Sequence, residues 1–351
     1  MFKTGIVKDR RYLEHITSDH HPENHNRLKV IYEMLEDKEM TGKFLEICPR
    51  FATLDELELS HSPGYISRVA ATADRPQTIL DPDTQTSPKS FDAAKLAVGG
   101  TLELIDRVMA NEIDNGFALV RPPGHHAESD RGMGFCLFNN IAIMARYAIS
   151  RYSLKRILIV DWDLHHGNGT QNAFYNDPRV LYFSTHQFPH YPGTGSFSET
   201  GTGDGEGFTV NVPLPGGQGD VDFLQVFERI LRPIALQLNP QLVLVSAGFD
   251  IYLKDPLGGM NVTPKGFALL TRLLLDVANK TCGGKILFAL EGGYHLDGLR
   301  ECVQSVLMEL KGESLHPKEK EENKGRDATS IDQVIDRVVT IHKAYWHSVT
   351  A

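Results

Sequence analysis

The residues that could do chemistry are concentrated at the end of one apolar run. Residues 157–170 read ILIVDWDLHHGNGT, so four aliphatic residues lead directly into Asp161, Asp163, His165 and His166. Alternate side chains of an extended chain share a face, which would place Asp161, Asp163 and His165 on the same side. Burying charged side chains at the end of a core strand is costly unless they are paired or bind a metal ion. A carboxylate and an imidazole at this spacing suit zinc, although a solvated polar loop would look the same.

Four apolar runs end in this way. Val160 precedes DWDLHHGN, Val120 precedes RPPGHHAE, Val245 precedes SAGFD and Leu290 precedes EGGYH. The carboxyl ends of parallel strands meet at one edge of an α/β sheet, where such folds bind ligands. The sequence therefore predicts that the four motifs form one site.

Asp250, the last residue of SAGFD, is the natural third metal ligand beside Asp163 and His165. Three protein ligands leave one position open, as in catalytic zinc sites, whereas a structural zinc takes four ligands and usually sulfur. A two-metal site of the ureohydrolase kind would need carboxylates two residues beyond these ligands, where Gly167 and Tyr252 stand. One metal ion is the better interpretation.

The tandem His125–His126 follows two prolines, which stiffen the backbone that presents the imidazoles. Paired histidines beside a metal suggest general acid and base work on water that the metal activates. Asp161 could orient His125, and Asn168 could orient His126. The Tyr294 hydroxyl could stabilise a developing oxyanion, although a tyrosine after two glycines often only packs.

Loop aromatics are expected at the same edge of the sheet. Phe135 follows Gly134 in GFCLFNN, and Tyr191 lies in HYPGTG. Both rings could wall a narrow channel for an aliphatic stem, and in isolation both would be ordinary core residues.

The elements that must position these residues can be predicted from eight short apolar runs, at 4–7, 44–48, 117–120, 157–160, 180–184, 208–212, 242–245 and 286–290. Segments with helical spacing separate most of them, including 91–109, 139–150, 222–238 and 264–279. Apolar strands alternating with helices predict an α/β fold whose parallel sheet is covered on both faces. Because no repeat or linker divides the chain, we expect one domain over 1–351, with a charged loop at 312–327 and a last helix at about 330–345.

Composition narrows the classes of function. The net charge of −9 over 351 residues gives no nucleic-acid footprint. The four cysteines form no C-x-x-C pair, which argues against a disulfide framework or a thiolate zinc site. The sequence shows no signal core and no run long enough to span a membrane. A cytoplasmic, reduced protein is expected, with its oligomeric state left open.

Six motifs together resemble the zinc-dependent histone deacetylase superfamily, of the type shared with bacterial deacetylase-like amidohydrolases. They are RPPGHHA, GFCLFNN, VDWDLHHGNGTQ, SAGFD, DPLGG and LEGGYHLDGL, preceded by HPENHNR at 21–27. The resemblance runs to about residue 310, and the motif-bearing core of the domain spans about 4–310. Asparagine at position 168 resembles the pattern of the class II branch. It implies the arginase/deacetylase fold with an eight-stranded parallel sheet. It also implies hydrolysis of an N-acyl amide, typically N-acetyl-lysine, to carboxylate and free amine.

The resemblance also implies residue roles. One zinc ion would sit on Asp163, His165 and Asp250, with His125 and His126 as the paired imidazoles and Tyr294 as the oxyanion donor. Substrate would meet the carbonyl of Gly134, the tunnel walls Phe135 and Tyr191, the rim acid Asp83, and Leu257 at the tunnel mouth. Two potassium sites are implied, one at Asp161, Asp163, His165, Ser184 and Thr185, the other at Phe174, Asp177, Val180 and Phe208.

Two other functions remain open at this point. The same chemistry could act on acetylated polyamines, and a related polyamine-selective branch resembles this chain but carries glutamate where Leu257 stands. A non-catalytic protein that only binds acetyl groups is the other alternative, although such a protein would be expected to have lost a ligand or the tyrosine. Expected partners are therefore acylated lysines in peptides or proteins, or acylated small amines.

Overall fold

The computed structural model describes residues 2–316 and 330–349. Its strands are β1 Thr4–Val7, β2 Leu45–Ile47, β3 Thr78–Asp81, β4 Thr84–Thr86, β5 Asn115–Ala118, β6 Ile157–Asp161, β7 Val180–Gln187, β8 Thr209–Leu214, β9 Leu242–Ala247 and β10 Ile286–Leu290. Its α-helices are α1 Asn26–Leu35, α2 Leu54–Leu57, α3 Pro63–Ala70, α4 Ser90–Met109, α5 Asn140–Tyr152, α6 Asn168–Phe174, α7 Asp220–Val226, α8 Arg232–Leu238, α9 Pro264–Cys282, α10 Leu296–Lys311 and α11 Ser330–His342.

Eight of these strands form one parallel sheet in the order β2–β1–β5–β10–β9–β6–β7–β8. The predicted α/β domain with an eight-stranded parallel sheet is confirmed. The four strands that precede the reactive motifs, β5, β10, β9 and β6, are immediate neighbours in its centre. Their carboxyl ends therefore lie side by side at one edge, as the motif pattern predicts.

Helices cover both faces of this sheet. Every residue of β5, β6, β9 and β10 is buried, which a sheet achieves only when both faces are packed. Helices α4 and α5 pack together in one group, and α1, α9 and α10 pack together in another. No described helix is both long enough and apolar enough to cross a bilayer.

Two predicted elements differ from the structure. The run predicted as a strand at 117–120 is β5, which begins earlier and ends at Ala118. Asn115 and Gly116 have low strand propensity, yet tertiary contacts hold them in the strand, where Nδ2 of Asn115 donates to the Leu310 carbonyl at 2.9 Å. The helix predicted at 222–238 is divided into α7, a π-helical turn at Phe227–Leu231, and α8. Pro233 lacks the N–H that a continuous α-helix would need, so the turn before it widens.

The hairpin of β3 and β4 was not predicted, because its strands are short and most of their residues are polar. It carries Asp81 and Asp83 toward the site. Most of the predicted charged loop at 312–327 lies outside the described residues. Helix α11 lies where the last helix is predicted and packs against β8, and the Trp346 indole that follows it donates to the Gly207 carbonyl at 2.8 Å.

His342, at the end of α11, should make the protein sensitive to mild acid. Burial lowers the pKa of this imidazole from 6.5 to about 4. As pH falls through this window the unfolded chain binds a proton that the folded chain excludes, so the free energy of unfolding falls by about 1.4 kcal/mol per pH unit. Between pH 7 and pH 5, the free energy of unfolding should therefore fall by about 2 kcal/mol less in His342→Leu than in wild type, as measured by denaturant unfolding at both pH values. His347→Leu, at an exposed position nearby, is the control and should retain the wild-type dependence. An equal fall in the free energy of unfolding in His342→Leu and wild type would contradict the role of His342 in acid sensitivity.

Candidate active site

The loops after β5, β6, β9 and β10 bring the predicted residues together. Asp163 and His165 lie beyond the end of β6 at Asp161, so strand alternation does not set their direction. Backbone contacts do so instead. The Asp163 carboxylate accepts the His165 N–H at 2.9 Å and the Gly292 N–H at 2.9 Å, and Asp250 accepts the Leu164 N–H at 2.8 Å.

Asp163, His165 and Asp250 form a compact ligand cluster. Nδ1 of His165 lies 3.2 Å from Oδ1 of Asp163 and 3.0 Å from Oδ2 of Asp250. Ligand atoms about 2.0–2.2 Å from one tetrahedral ion stand roughly 3.3 Å apart, so both His165 distances match a zinc site. One ligand atom from each of the three residues lies within 4.8 Å of the other two. The donor set fits zinc, with a fourth position left for water or substrate.

The buried charge of this cluster must be balanced, by a metal ion or by protons. Both carboxylates are almost fully buried. Burial and the neighbouring Asp163 raise the pKa of Asp250, because a second buried negative charge is unfavourable there. Burial alone would lower the pKa of His165, but hydrogen bonds to the two carboxylates raise it to about 10. In the absence of a metal, protons must neutralise the cluster.

The predicted orienting pairs of the tandem histidines are both present. Nδ1 of His125 lies 3.1 Å from Oδ2 of Asp161, and Nδ1 of His126 lies 2.8 Å from Oδ1 of Asn168. The two imidazole rings are 4.0 Å apart between centroids. Their second nitrogens are therefore left for chemistry at the ligand cluster.

The two imidazoles differ in basicity. Burial opposes protonation of His125, but the charges of Asp163 and Asp161 raise its pKa to about 10. Burial and the neighbouring imidazoles His125 and His165 hold the pKa of His126 well below 6.5. Asn168 is neutral, so it brings no charge that would offset this lowering. Environments that separate two pKa values in this way commonly separate the acid and base roles.

Tyr294 lies on the turn after β10 and is held on several sides. Its backbone N–H donates to Oδ2 of Asp255 at 2.6 Å, its ring meets Phe135 edge-on at 5.9 Å, and the Arg27 guanidinium lies 5.0 Å from the ring centroid. Burial raises the pKa of the phenol well above 10. The hydroxyl is therefore a hydrogen-bond donor over the whole working pH range.

The turn at Gly134 and Phe135 requires glycine at its first position. A Cβ there would stand 2.2 Å from Cδ2 of His126, and the backbone φ is +56°. Phe135 also has a positive φ, of +68°, which hydrogen bonds must hold in place. The β3–β4 hairpin supplies them, because Gly134 N–H donates to Asp83 at 3.0 Å and Phe135 N–H donates to Thr84 at 3.1 Å.

The remaining predicted substrate residues occupy the same region. The Tyr191 ring lies 5.2 Å from that of His126 and 6.1 Å from that of His165, and it is 36% exposed. Leu257 is partly buried, and its N–H donates to Oδ1 of Asp255 at 3.0 Å. The backbone N–H groups of Leu257 and Tyr294 thus donate to the same carboxylate, that of Asp255. Asp83, the predicted rim acid, instead accepts the Gly134 N–H and supports that turn.

The residues predicted for potassium fall in two places. Asp161 pairs in register with Ser184, next to Thr185, whose buried hydroxyl is without a protein partner. The other set surrounds the start of β7, where carbonyls accept backbone N–H groups of nearby residues; these carbonyls belong to Phe174, Asp177 and Phe208, and Val180 donates to Asp177. Potassium binding itself remains a prediction.

Sequence reasoning gave no role to a buried ion cluster beneath the site. Glu23, from the HPENHNR segment, pairs with Arg27 at 3.0 Å and with Arg121 at 2.7 Å. Arg27 in turn donates to the Gly293 carbonyl at 2.7 Å. The cluster thus ties the start of RPPGHH to the EGGY turn. The charged letters of HPENHNR were the only available signal, and their partners are distant in sequence.

Glu291 and His190 were also missed. The Glu291 carboxylate accepts the N–H groups of Gly124 and His125, at 2.7 and 3.1 Å, and the Ser246 hydroxyl at 3.1 Å. It therefore fixes the backbone that presents the tandem histidines. The His190 ring lies 5.1 Å from that of His165. Both residues lie in motifs that were predicted at this edge, EGGYH and HYPGTG, but their contacts with the RPPGHH backbone and with His165 join segments that are distant in sequence.

Comparisons with known proteins agree with this arrangement. A family model described as the histone deacetylase domain matches residues 21–310. The chain is 38% identical to a probable deacetylase of Archaeoglobus fulgidus over 355 residues, covering 98% of both chains. It is 41% identical over 310 residues to histone deacetylase 10, chloroplastic, of Oryza sativa subsp. japonica, covering 84% of this chain and 70% of that protein.

A solved structure supports the same conclusion. The crystal structure of the HDA15 HD domain matches with a TM-score of 0.91 and 38% sequence identity, covering 99% of this chain and 96% of that chain. The similarity confirms the predicted arginase/deacetylase fold. Because the family match covers most of the chain and these relatives align along most of its length, the chain belongs to the histone deacetylase family and is a hydrolase of acetyl amides.

Proposed function

We propose that this protein is a zinc-dependent deacylase that hydrolyses the acyl amide of acylated lysine side chains. The observation that carries the proposal is the convergence of Asp163, His165 and Asp250 beside a basic and a weakly basic imidazole. The metal would be held by these three side chains. When bound, zinc polarises the acyl carbonyl and lowers the pKa of water.

The protein's own groups then divide the work. His126, neutral near pH 7, accepts the proton of the attacking water at Nε2. Its Nδ1 remains hydrogen-bonded to Oδ1 of Asn168. His125, protonated and held by Asp161, supplies positive charge beside it and a proton for the leaving amine. The Tyr294 phenol donates to the carbonyl oxygen as negative charge develops. Phe135 and Tyr191 exclude water from the aliphatic stem of the lysine.

Potassium at the two predicted sites belongs to the same proposal. What supports it is the buried hydroxyl of Thr185, which has no protein partner, beside the pair Asp161 and Ser184. Such oxygen atoms suit a hard monovalent cation.

Metal dependence and oxyanion stabilisation test the deacylase proposal directly. We expect about one zinc ion per chain and hydrolysis of an acetyl-lysine peptide that is lost on chelation and restored by zinc. Asp250→Ala should lose both metal and activity, because two ligands rarely retain zinc.

Tyr294→Phe should retain the metal but lose turnover about 10²–10³-fold with little change in KM. Full activity after exhaustive chelation, two ions in the catalytic centre, or a Tyr294→Phe variant within about threefold of wild type would contradict this mechanism.

Leu257 should favour acyl-lysine peptides over acetylspermidine. A glutamate at this position could pair with the distant ammonium of a polyamine, whereas leucine offers only apolar contact. A charge-assisted hydrogen bond contributes about 1.5–3 kcal/mol, so its absence should forfeit roughly ten- to a hundredfold in kcat/KM for the polyamine. Leu257→Glu should narrow or reverse the preference, and Leu257→Gln, of the same length without charge, is the matched control. A wild-type enzyme with higher kcat/KM for acetylspermidine would instead identify an acetylpolyamine amidohydrolase.

A further inference from the structure

The Asn168 side chain bridges His126 to a residue outside the roles described so far. Its Oδ1 lies 2.8 Å from Nδ1 of His126, and its Nδ2 lies 2.7 Å from Oε1 of Glu128. Glu128 is the last residue of the RPPGHHAE motif and is partly buried, with 20% of its side chain exposed. The three side chains form one hydrogen-bonded chain, from buried His126 to partly exposed Glu128.

Glu128 determines which way the Asn168 amide points. An ionised carboxylate has acceptors only, so it can face the NH₂ end of an amide but not the oxygen end. All side-chain contacts of Glu128 fit this role, because it also accepts from Asn172 at 3.1 Å and from Arg131 at 3.1 Å. Its backbone is fixed as well, since its carbonyl accepts from His61 Nδ1 at 2.8 Å. The amide oxygen of Asn168 is therefore directed to His126.

The amide orientation in turn determines the tautomer of His126. An oxygen facing Nδ1 requires that Nδ1 carry the proton, which leaves the lone pair on Nε2. With the amide reversed, the NH₂ group would donate to Nδ1 and the proton would move to Nε2. An imidazole in that tautomer cannot accept a proton at Nε2. The other atom near Nδ2 of Asn168 is the Met133 sulfur, at 3.4 Å, which is only a weak acceptor.

We propose that Glu128 is a positioning residue that holds His126 in its Nδ1–H tautomer through Asn168. The inference rests on the proposed deacylase function, in which His126 is the base. A wrong tautomer at an otherwise intact histidine is known to reduce turnover strongly. Outer-shell partners of this kind typically contribute 10–100-fold.

A set of substitutions separates this role from simple packing. Glu128→Lys offers donors only and should lower kcat on acetyl-lysine peptide about 10–100-fold, with KM within about threefold and the zinc content unchanged. Glu128→Gln can still accept from Asn168 and should stay within about threefold of wild-type kcat. Asn168→Asp alone sets two carboxylates against each other and should also lose turnover. Glu128→Lys combined with Asn168→Asp restores a donor–acceptor pair and should recover at least about tenfold of the loss.

Matched controls and a spectroscopic readout complete the test. Arg131→Ala removes an exposed contact of Glu128 and should leave kcat unchanged. In zinc-loaded protein labelled with ¹⁵N-histidine, near pH 8, the His126 signal should show the Nδ1–H tautomer in wild type and lose it in Glu128→Lys. His126→Gln identifies the signal. This measurement does not depend on turnover, so it tests Glu128 even if acetyl-lysine peptide proves not to be a substrate.

The possible results are decisive. Reciprocal loss and recovery, together with the tautomer change, would establish the positioning role. Equal kcat losses in Glu128→Gln and Glu128→Lys would overturn it, since only a role of carboxylate charge or packing treats them alike. Wild-type turnover in Glu128→Lys, or an Nε2–H tautomer in wild type, would overturn it as well.

Discussion

The site depends on burying negative charge at the carboxyl edge of a parallel sheet. Asp161, Asp163, Asp250 and Glu291 are each no more than 1% exposed, and an unpaired charge is very costly there. Each carboxylate therefore collects hydrogen bonds from backbone N–H groups, imidazoles or hydroxyls. These contacts hold the loops, so the same charges that would bind a metal also fix the groups around it.

Two buried arginine side chains contact the loops at that edge. Glu23 gathers Arg27 and Arg121, and Arg27 reaches both the Gly293 carbonyl and the face of Tyr294. The N-terminal segment thus contacts the first and the last of the reactive loops. Removing one member of a buried ion cluster leaves its partners uncompensated, so the cluster resists piecemeal change. The geometry of the Tyr294 turn is accordingly tied to residues more than 260 positions away in sequence.

The sequence was informative where local chemistry determines the answer. Apolar runs predicted all eight sheet strands because buried parallel strands are continuously hydrophobic, and the motif positions predicted their shared edge. The pairs His125–Asp161 and His126–Asn168 followed from residue types. The ends of β5, the widened turn between α7 and α8, and the β3–β4 hairpin could not be predicted, since tertiary packing overrides weak propensity there. The roles of Glu23, Arg27 and Glu291 depend on contacts between distant segments, which a single sequence does not reveal.

Asp255 has a consequence for how such an enzyme can diverge. One of its oxygens accepts the Leu257 N–H, and the other accepts the N–H groups of Tyr294 and His295. The turn that carries Leu257 is therefore joined through one carboxylate to the turn that carries the Tyr294 phenol. Insertions or backbone shifts in DPLGG would be transmitted to Tyr294, whereas side-chain exchange at Leu257 leaves the shared carboxylate in place. Under the role proposed for Leu257, new substrate preferences should evolve here by point substitution rather than by change of loop length.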